Sequence, residues 1–113
     1  MPPIAEQIDL DDMISSAVQA CALLRVLANR HRLMLLCQMT QGEFCVNELE
    51  TALGIEQPTL SQQLTVLRQE QLVTTRREGK QIFYSIASPE AMAVMQVLYE
   101  QFCRPNQKKG KKR

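Results

Sequence analysis

Five side chains in this sequence could serve as ligands, nucleophiles or redox centres: Cys21, Cys37, Cys45, Cys103 and the single histidine, His31. A cysteine reacts as its thiolate, two thiols can be oxidised against one another, and grouped Cys and His residues can hold zinc. Which of these applies depends first on compartment. The opening segment MPPIAEQIDLDD lacks the basic stretch and apolar run of a signal peptide, and no later run reaches the roughly 18 to 20 apolar residues of a membrane span. The chain is therefore expected in the cytoplasm and off the membrane, where thiols, ligands or redox sensors are favoured over permanent disulfides. His31 lies between Arg30 and Arg32 with no neighbouring acid to orient it, and no carboxylate pair, Gly-rich phosphate loop or nucleophile with a His partner emerges. Neither an enzyme nor a cofactor is expected.

A second chemistry is carried by amide and hydroxyl side chains. From Pro58 to Gln69, Leu60, Leu64 and Leu67 recur at helical spacing, which turns Thr59, Gln62, Thr65 and Val66 to or near the opposite face, with Ser61 and Gln63 flanking the apolar stripe and Gln57 just ahead of it. A helix fits the DNA major groove, where Gln pairs with adenine and Ser or Thr bonds either edge. Just beyond lie Arg76, Arg77 and Lys80, suited to phosphates or a narrow minor groove, with Glu78 among them.

The elements that must position these groups follow from periodicity and breakers. Asp9 to Leu27 reads as a long amphipathic helix with acids at its start and an apolar stripe of Ile14, Ala17, Val18, Cys21, Leu24 and Leu27, so Cys21 is expected to pack. Arg30 to Met39 is a second helix whose LMLLCQM segment is apolar all round and predicts burial. Asn47 to Leu53 is a short helix closed by Gly54, and Pro58 opens the next. Leu72 to Arg77 and Gln81 to Ile86 are β-prone runs about a Glu78-Gly79-Lys80 tip, and Pro89 begins a last helix carrying Met92, Met95, Leu98, Tyr99 and Phe102. Four helices, a hairpin and a helix make a mainly α fold with a small β-hairpin, a winged helix-turn-helix.

With 113 residues, 45% hydrophobic and 22% charged, the chain has room for one domain and its core. The expected organisation is a flexible N-terminus over 1–8, a DNA-binding and dimerisation domain over 9–103, and a basic disordered tail over 104–113. The net charge of +1 hides that asymmetry: acids cluster near the start and RPNQKKGKKR closes the chain. Such a tail adds phosphate attraction or merely solubility. An apolar helix at each end of so short a chain is surface that seeks a partner.

The segment NELETALGIEQPTLSQQLTVLRQEQLVTTRREGKQIFYSI resembles the ArsR/SmtB family of bacterial repressors, and the likeness runs from about Leu24 to Cys103. It implies a homodimer built on the first and last helices, binding double-stranded operator DNA with recognition helices in successive major grooves, about 34 to 36 Å apart. It also invites a metal test. The family's ELCVCDL pattern carries two thiols, whereas GEFCVNEL has Cys45 and then Asn47, and Ser88 to Cys103 holds no Asp or His. No metal site is expected, with a metal-responsive repressor kept as an alternative.

Cys37 in LMLLCQM and Cys103 in LYEQFCRPN resemble instead the thiol-sensing branch of BigR, SqrR and HlyU type. That resemblance implies redox sensing by Cys37 and Cys103, bridged directly or through added sulfur by low-molecular-weight persulfides or oxidants, with loss of operator DNA and control of sulfide-detoxification genes. Core packing of Cys37 stays open as the alternative, as does a redox-responsive activator or anti-silencer. Cys45 is not assigned to the switch.

Overall fold

A computed structural model describes residues 9–103, so the readings of the terminal segments 1–8 and 104–113 lie outside the described residues. The first helix, α1, spans Leu10–Leu27. Asp9 starts it by accepting the Asp12 amide at 2.8 Å, and Asp11 and Asp12 suit the positive end of its dipole. Asn29 does the same for α2, Arg30–Met39, accepting from the Arg32 amide at 3.0 Å. A two-residue strand, β1 (Phe44–Cys45), leads into α3, Val46–Leu53. There the Glu48 carboxylate reaches back to the Cys45 amide at 3.0 Å, and Gly54 closes the helix at φ 69°, where a Cβ would be strained.

The recognition-type helix, α4 (Thr59–Gln69), follows, then strands β2 (Val73–Glu78) and β3 (Gln81–Ile86), and α5, Pro89–Leu98. Ser88 caps α5 by accepting the Ala91 amide at 3.0 Å, and beyond Leu98 the chain continues through a wider π-helical turn, Tyr99–Cys103. β2 and β3 form the expected antiparallel hairpin, with Gly79 at φ 63° in its tip. The sheet has a third strand that the sequence pattern does not reveal: β1 pairs with the far edge of β3, setting Phe44 opposite Tyr84 and Cys45 opposite Phe83. The wing is thereby tied to the residue that starts α3.

The core gathers the inner faces of α2 to α5. Leu35 and Leu36 of α2, Leu49 of α3, and Leu60, Leu64 and Leu67 of α4 are fully buried, each worth about 1.5–3 kcal/mol relative to exposure. Ile55 pins the turn between α3 and α4, while Ala91 and Met95 bring α5 against the same cluster.

α1 behaves differently. Only Val26 and Leu27, in its last turn, are buried; Leu10, Ile14 and Val18 are 69%, 55% and 66% exposed, and Cys21 is exposed too. The expected apolar stripe exists, but among the described residues nothing covers most of it, so the packing expected of Cys21 does not occur there. Val66, read from the sequence as outward, is half-buried against the core, because 3.6-residue geometry brings it alongside the Leu67 edge of the stripe.

Candidate nucleic-acid interface and thiol pair

α4 lies with its leucines inward and leaves Ser61, Gln62, Thr65, Arg68 and Gln69 exposed. Gln62 makes no side-chain hydrogen bond among the described residues and offers both amide groups outward. Thr65 donates its hydroxyl to the Ser61 carbonyl at 2.9 Å, which orients its methyl. Gln57 turns back onto the helix start, its amide oxygen accepting from the Ser61 amide at 3.1 Å and hydroxyl at 2.7 Å, so the two side chains act as one unit at the N-terminus. Thr59 is half-buried. Gln63 is set apart from the others: its amide oxygen accepts from Arg32 of α2 at 2.7 Å.

Arg68 and Gln69 escaped the sequence reading although the spacing could have found them. Gln69 is seven residues beyond Gln62 and returns to the same face, and Arg68 flanks it. Five exposed polar or basic side chains without an acid therefore line the outer surface of α4.

On the wing, Arg76, Arg77 and Lys80 are all exposed. Arg77 bonds the Gly79 carbonyl at 3.2 Å through Nε, shaping the tip, whereas Lys80 has no bonded partner among the described residues. Arg76 is engaged on three sides. Its Nε and Nη2 clasp both oxygens of Glu43 at 2.8–3.1 Å, its Nη1 meets Glu78 at 2.9 Å, and the guanidinium lies 5.0 Å from the centre of the Phe83 ring. Hydrogen bonding from Arg76 holds the Glu43 carboxyl below its ordinary range, and the two carboxylates raise Arg76 further above neutrality. The acid that sequence reading placed near DNA, Glu78, is thus neutralised in place.

α2 and the end of α5 meet around an open groove of about 800 Å³, lined by Cys37, Met34, Leu53, Met92, Met95 and Tyr99 among others. Cys37 is exposed, not buried as its apolar context implied: Leu35, Leu36 and Met39 take the inward face of α2 and leave it on the outside. Cys103, at the end of the π-helical turn, is exposed too, and both are free thiols. They are close enough to interact electrostatically. Partial burial first, and the Cys103 thiolate second, push the Cys37 thiol above its ordinary pKa. Cys45 by contrast is buried, within the edge strand β1. Among the described residues no three His, Cys, Asp or Glu side chains stand together as a metal site would need, and no helix is long and apolar enough to cross a membrane.

A helix-turn-helix whose second helix presents an acid-free polar face, flanked by a basic three-stranded wing, defines a winged helix-turn-helix DNA-binding regulator. Residues 29–75 match the family model described as bacterial regulatory protein, arsR family. The chain is 50% identical over 101 residues to the biofilm growth-associated repressor of Agrobacterium fabrum, covering 89% of this chain and 86% of that one. It superposes on the crystal structure of the transcriptional repressor BigR from Xylella fastidiosa with TM-score 0.79 at 47% identity, covering 85% and 98% of the two chains. With reduced HlyU from Vibrio cholerae the TM-score is 0.80 at 37% identity, covering 84% and 100%. The protein belongs to the ArsR family of bacterial transcriptional regulators.

Proposed function

We propose that this regulator is a homodimeric transcriptional repressor that binds operator DNA through α4 and the wing and releases it when Cys37 and Cys103 are joined. The observation that supports the reading most is the pair itself: two exposed thiols, Cys37 on α2 lining a groove open to solvent and Cys103 in the last turn of the described chain, near enough for the charge of Cys103 to raise the Cys37 pKa. With a low-molecular-weight persulfide, one thiolate attacks the sulfane sulfur and expels the carrier thiol. The second then attacks the sulfur of the first cysteine and expels sulfide. Two thiols and one persulfide thus become one disulfide, one thiol and one hydrogen sulfide, the cysteines losing the two electrons the sulfane sulfur gains. Hydrogen peroxide reaches the same bridge through a sulfenic acid: oxidation of one thiol releases one water, and attack of the second thiol on the sulfenic sulfur releases another.

The groups joined sit at the ends of α2 and α5, whose inner faces pack with α4 in one core. A bridge alters binding only if the bridged state has a different affinity for DNA, and in a dimer a small rotation displaces both recognition helices from their half-sites. The uncovered stripe of α1, with exposed Val97 and Phe102 near the end of the chain, supplies the apolar surface for the partner protomer. Similarity to a biofilm growth-associated repressor and to the transcriptional repressor BigR favours repression. Sulfide-detoxification genes are the targets that the resemblance of Cys37 and Cys103 to the thiol-sensing branch implies.

Cys37→Ser and Cys103→Ser should each bind operator like the reduced wild type and keep binding after persulfide treatment; normal release by either variant would sink the two-thiol reading. A second reading, a redox-responsive activator or anti-silencer, draws on 37% identity to the transcriptional activator HlyU of Vibrio cholerae. Operator position relative to the promoter separates the two.

A further inference from the structure

α4 is held to the core by Leu60, Leu64 and Leu67, which settle the face it turns inward; apolar contact is non-directional, so the fine setting of its roll falls to directional contacts. Among the described residues one side-chain hydrogen bond joins α4 to another helix: Arg32 Nη1 to Gln63 Oε1, 2.7 Å. The same guanidinium donates through Nε to the carbonyl of Val26 at 2.6 Å. That carbonyl lies in the last turn of α1, where acceptors lack helical partners and the dipole favours a cation. Arg32 itself is seated by the Asn29 cap and is half-buried. Its planar, rigid fork therefore spans the end of α1 and the flank of α4 from a fixed base on α2.

We propose that Arg32 and Gln63 are a positioning pair that locks the roll of α4 to the direction of α1, and so sets the half-site spacing the protein accepts. The proposal rests on the dimeric reading above, in which α1 carries the contact between protomers. Gln63 is then not a base reader: its amide oxygen is held by Arg32, and its work is done on the inner flank of the helix. An angular error at this joint is doubled across a two-fold axis, since each protomer contributes it once.

The test uses duplexes recovered by the wild-type protein from a randomised pool, remade with one base pair added or removed between half-sites, a displacement of about 3.4 Å along each strand. Wild type should prefer its own spacing by about tenfold or more, while Gln63→Ala and Arg32→Ala should fall to within about twofold across the series. Base preference at every position should stay unchanged. Gln63→Glu should restore the wild-type ratio, because a carboxylate accepts from the same guanidinium; the ratio cancels any general repulsion of DNA by the added charge. Should Arg32→Ala fail to fold, as a thermal melt would show, the two variants of Gln63 carry the test. Wild-type spacing discrimination in Gln63→Ala, or loss of preference at one base position, overturns the proposal. A wild-type protein indifferent to spacing overturns the dimeric reading and the proposal with it.

Discussion

Arg76 grips Glu43 with the Nε–Nη2 edge of its guanidinium, at 2.8–3.1 Å, and in doing so straps β2 to the residue that precedes β1. The side chain crosses the middle strand on the way, over the ring of Phe83, its partner in the ladder. A bidentate pair within a network is the geometry in which a surface ion pair contributes most, and solvent screening still keeps that contribution small.

The consequence for DNA binding is a matter of sign. If the strap positions the wing, Glu43→Gln should weaken operator binding by up to about fivefold even though it removes an acid from beside the DNA. If Arg76 were mainly a phosphate ligand held back by Glu43, the same change would tighten binding. Arg77→Ala and Lys80→Ala should each lower the salt slope of binding by about 0.9 for every phosphate the side chain no longer neutralises. Because the Glu43 carboxyl is depressed and Arg76 raised, the strap is fully present at neutral pH and is lost only as the pH falls through the depressed carboxyl value.

Cys37 should be a slow thiol at neutral pH. Its pKa is raised, so its thiolate is the minor form, and alkylation should quicken about tenfold per pH unit from pH 7 to 8 without levelling. Cys103→Ser removes the smaller of the two causes and should bring the plateau to lower pH, with burial still keeping it above the ordinary thiol. A plateau already reached at pH 7 would contradict this.

Removing the apolar character of α1 should separate the protomers without unfolding them, since Ile14 and Val18 make no part of the core. Val18→Glu should sediment as a monomer, retain the helical content of wild type, and lose about 10² to 10⁴ in operator affinity as the second half-site ceases to be tethered. A variant that stays dimeric at micromolar concentration would move the interface elsewhere.

Elements that depend on local pattern can be read from the residues alone. The α2 bounds, the Gly54 stop, the hairpin and its Gly79 tip all follow from periodicity and turn chemistry, which act over a few residues. β1 does not, because two residues show no alternation, and Phe44 and Cys45 are strand only by virtue of the distant β3 they pair with. The LMLLCQM segment reads as buried all round, yet Cys37 within it is exposed, for a related reason: a helix apolar on every side is buried on every side only if enough chain surrounds it. The ties of Gln63 to Arg32 and of Arg76 to Glu43 join residues about thirty positions apart, and a helical wheel carries no information on its neighbours.

The most direct test of the thiol-switch reading is mass spectrometry of the protein after glutathione persulfide, and separately after peroxide, with operator binding measured on the same samples. The account predicts a Cys37 to Cys103 cross-link, with or without inserted sulfur, whose yield tracks the loss of DNA binding and reverses with reductant. Unmodified thiols with unchanged binding, or a cross-linked protein that holds its operator as tightly as before, would contradict it.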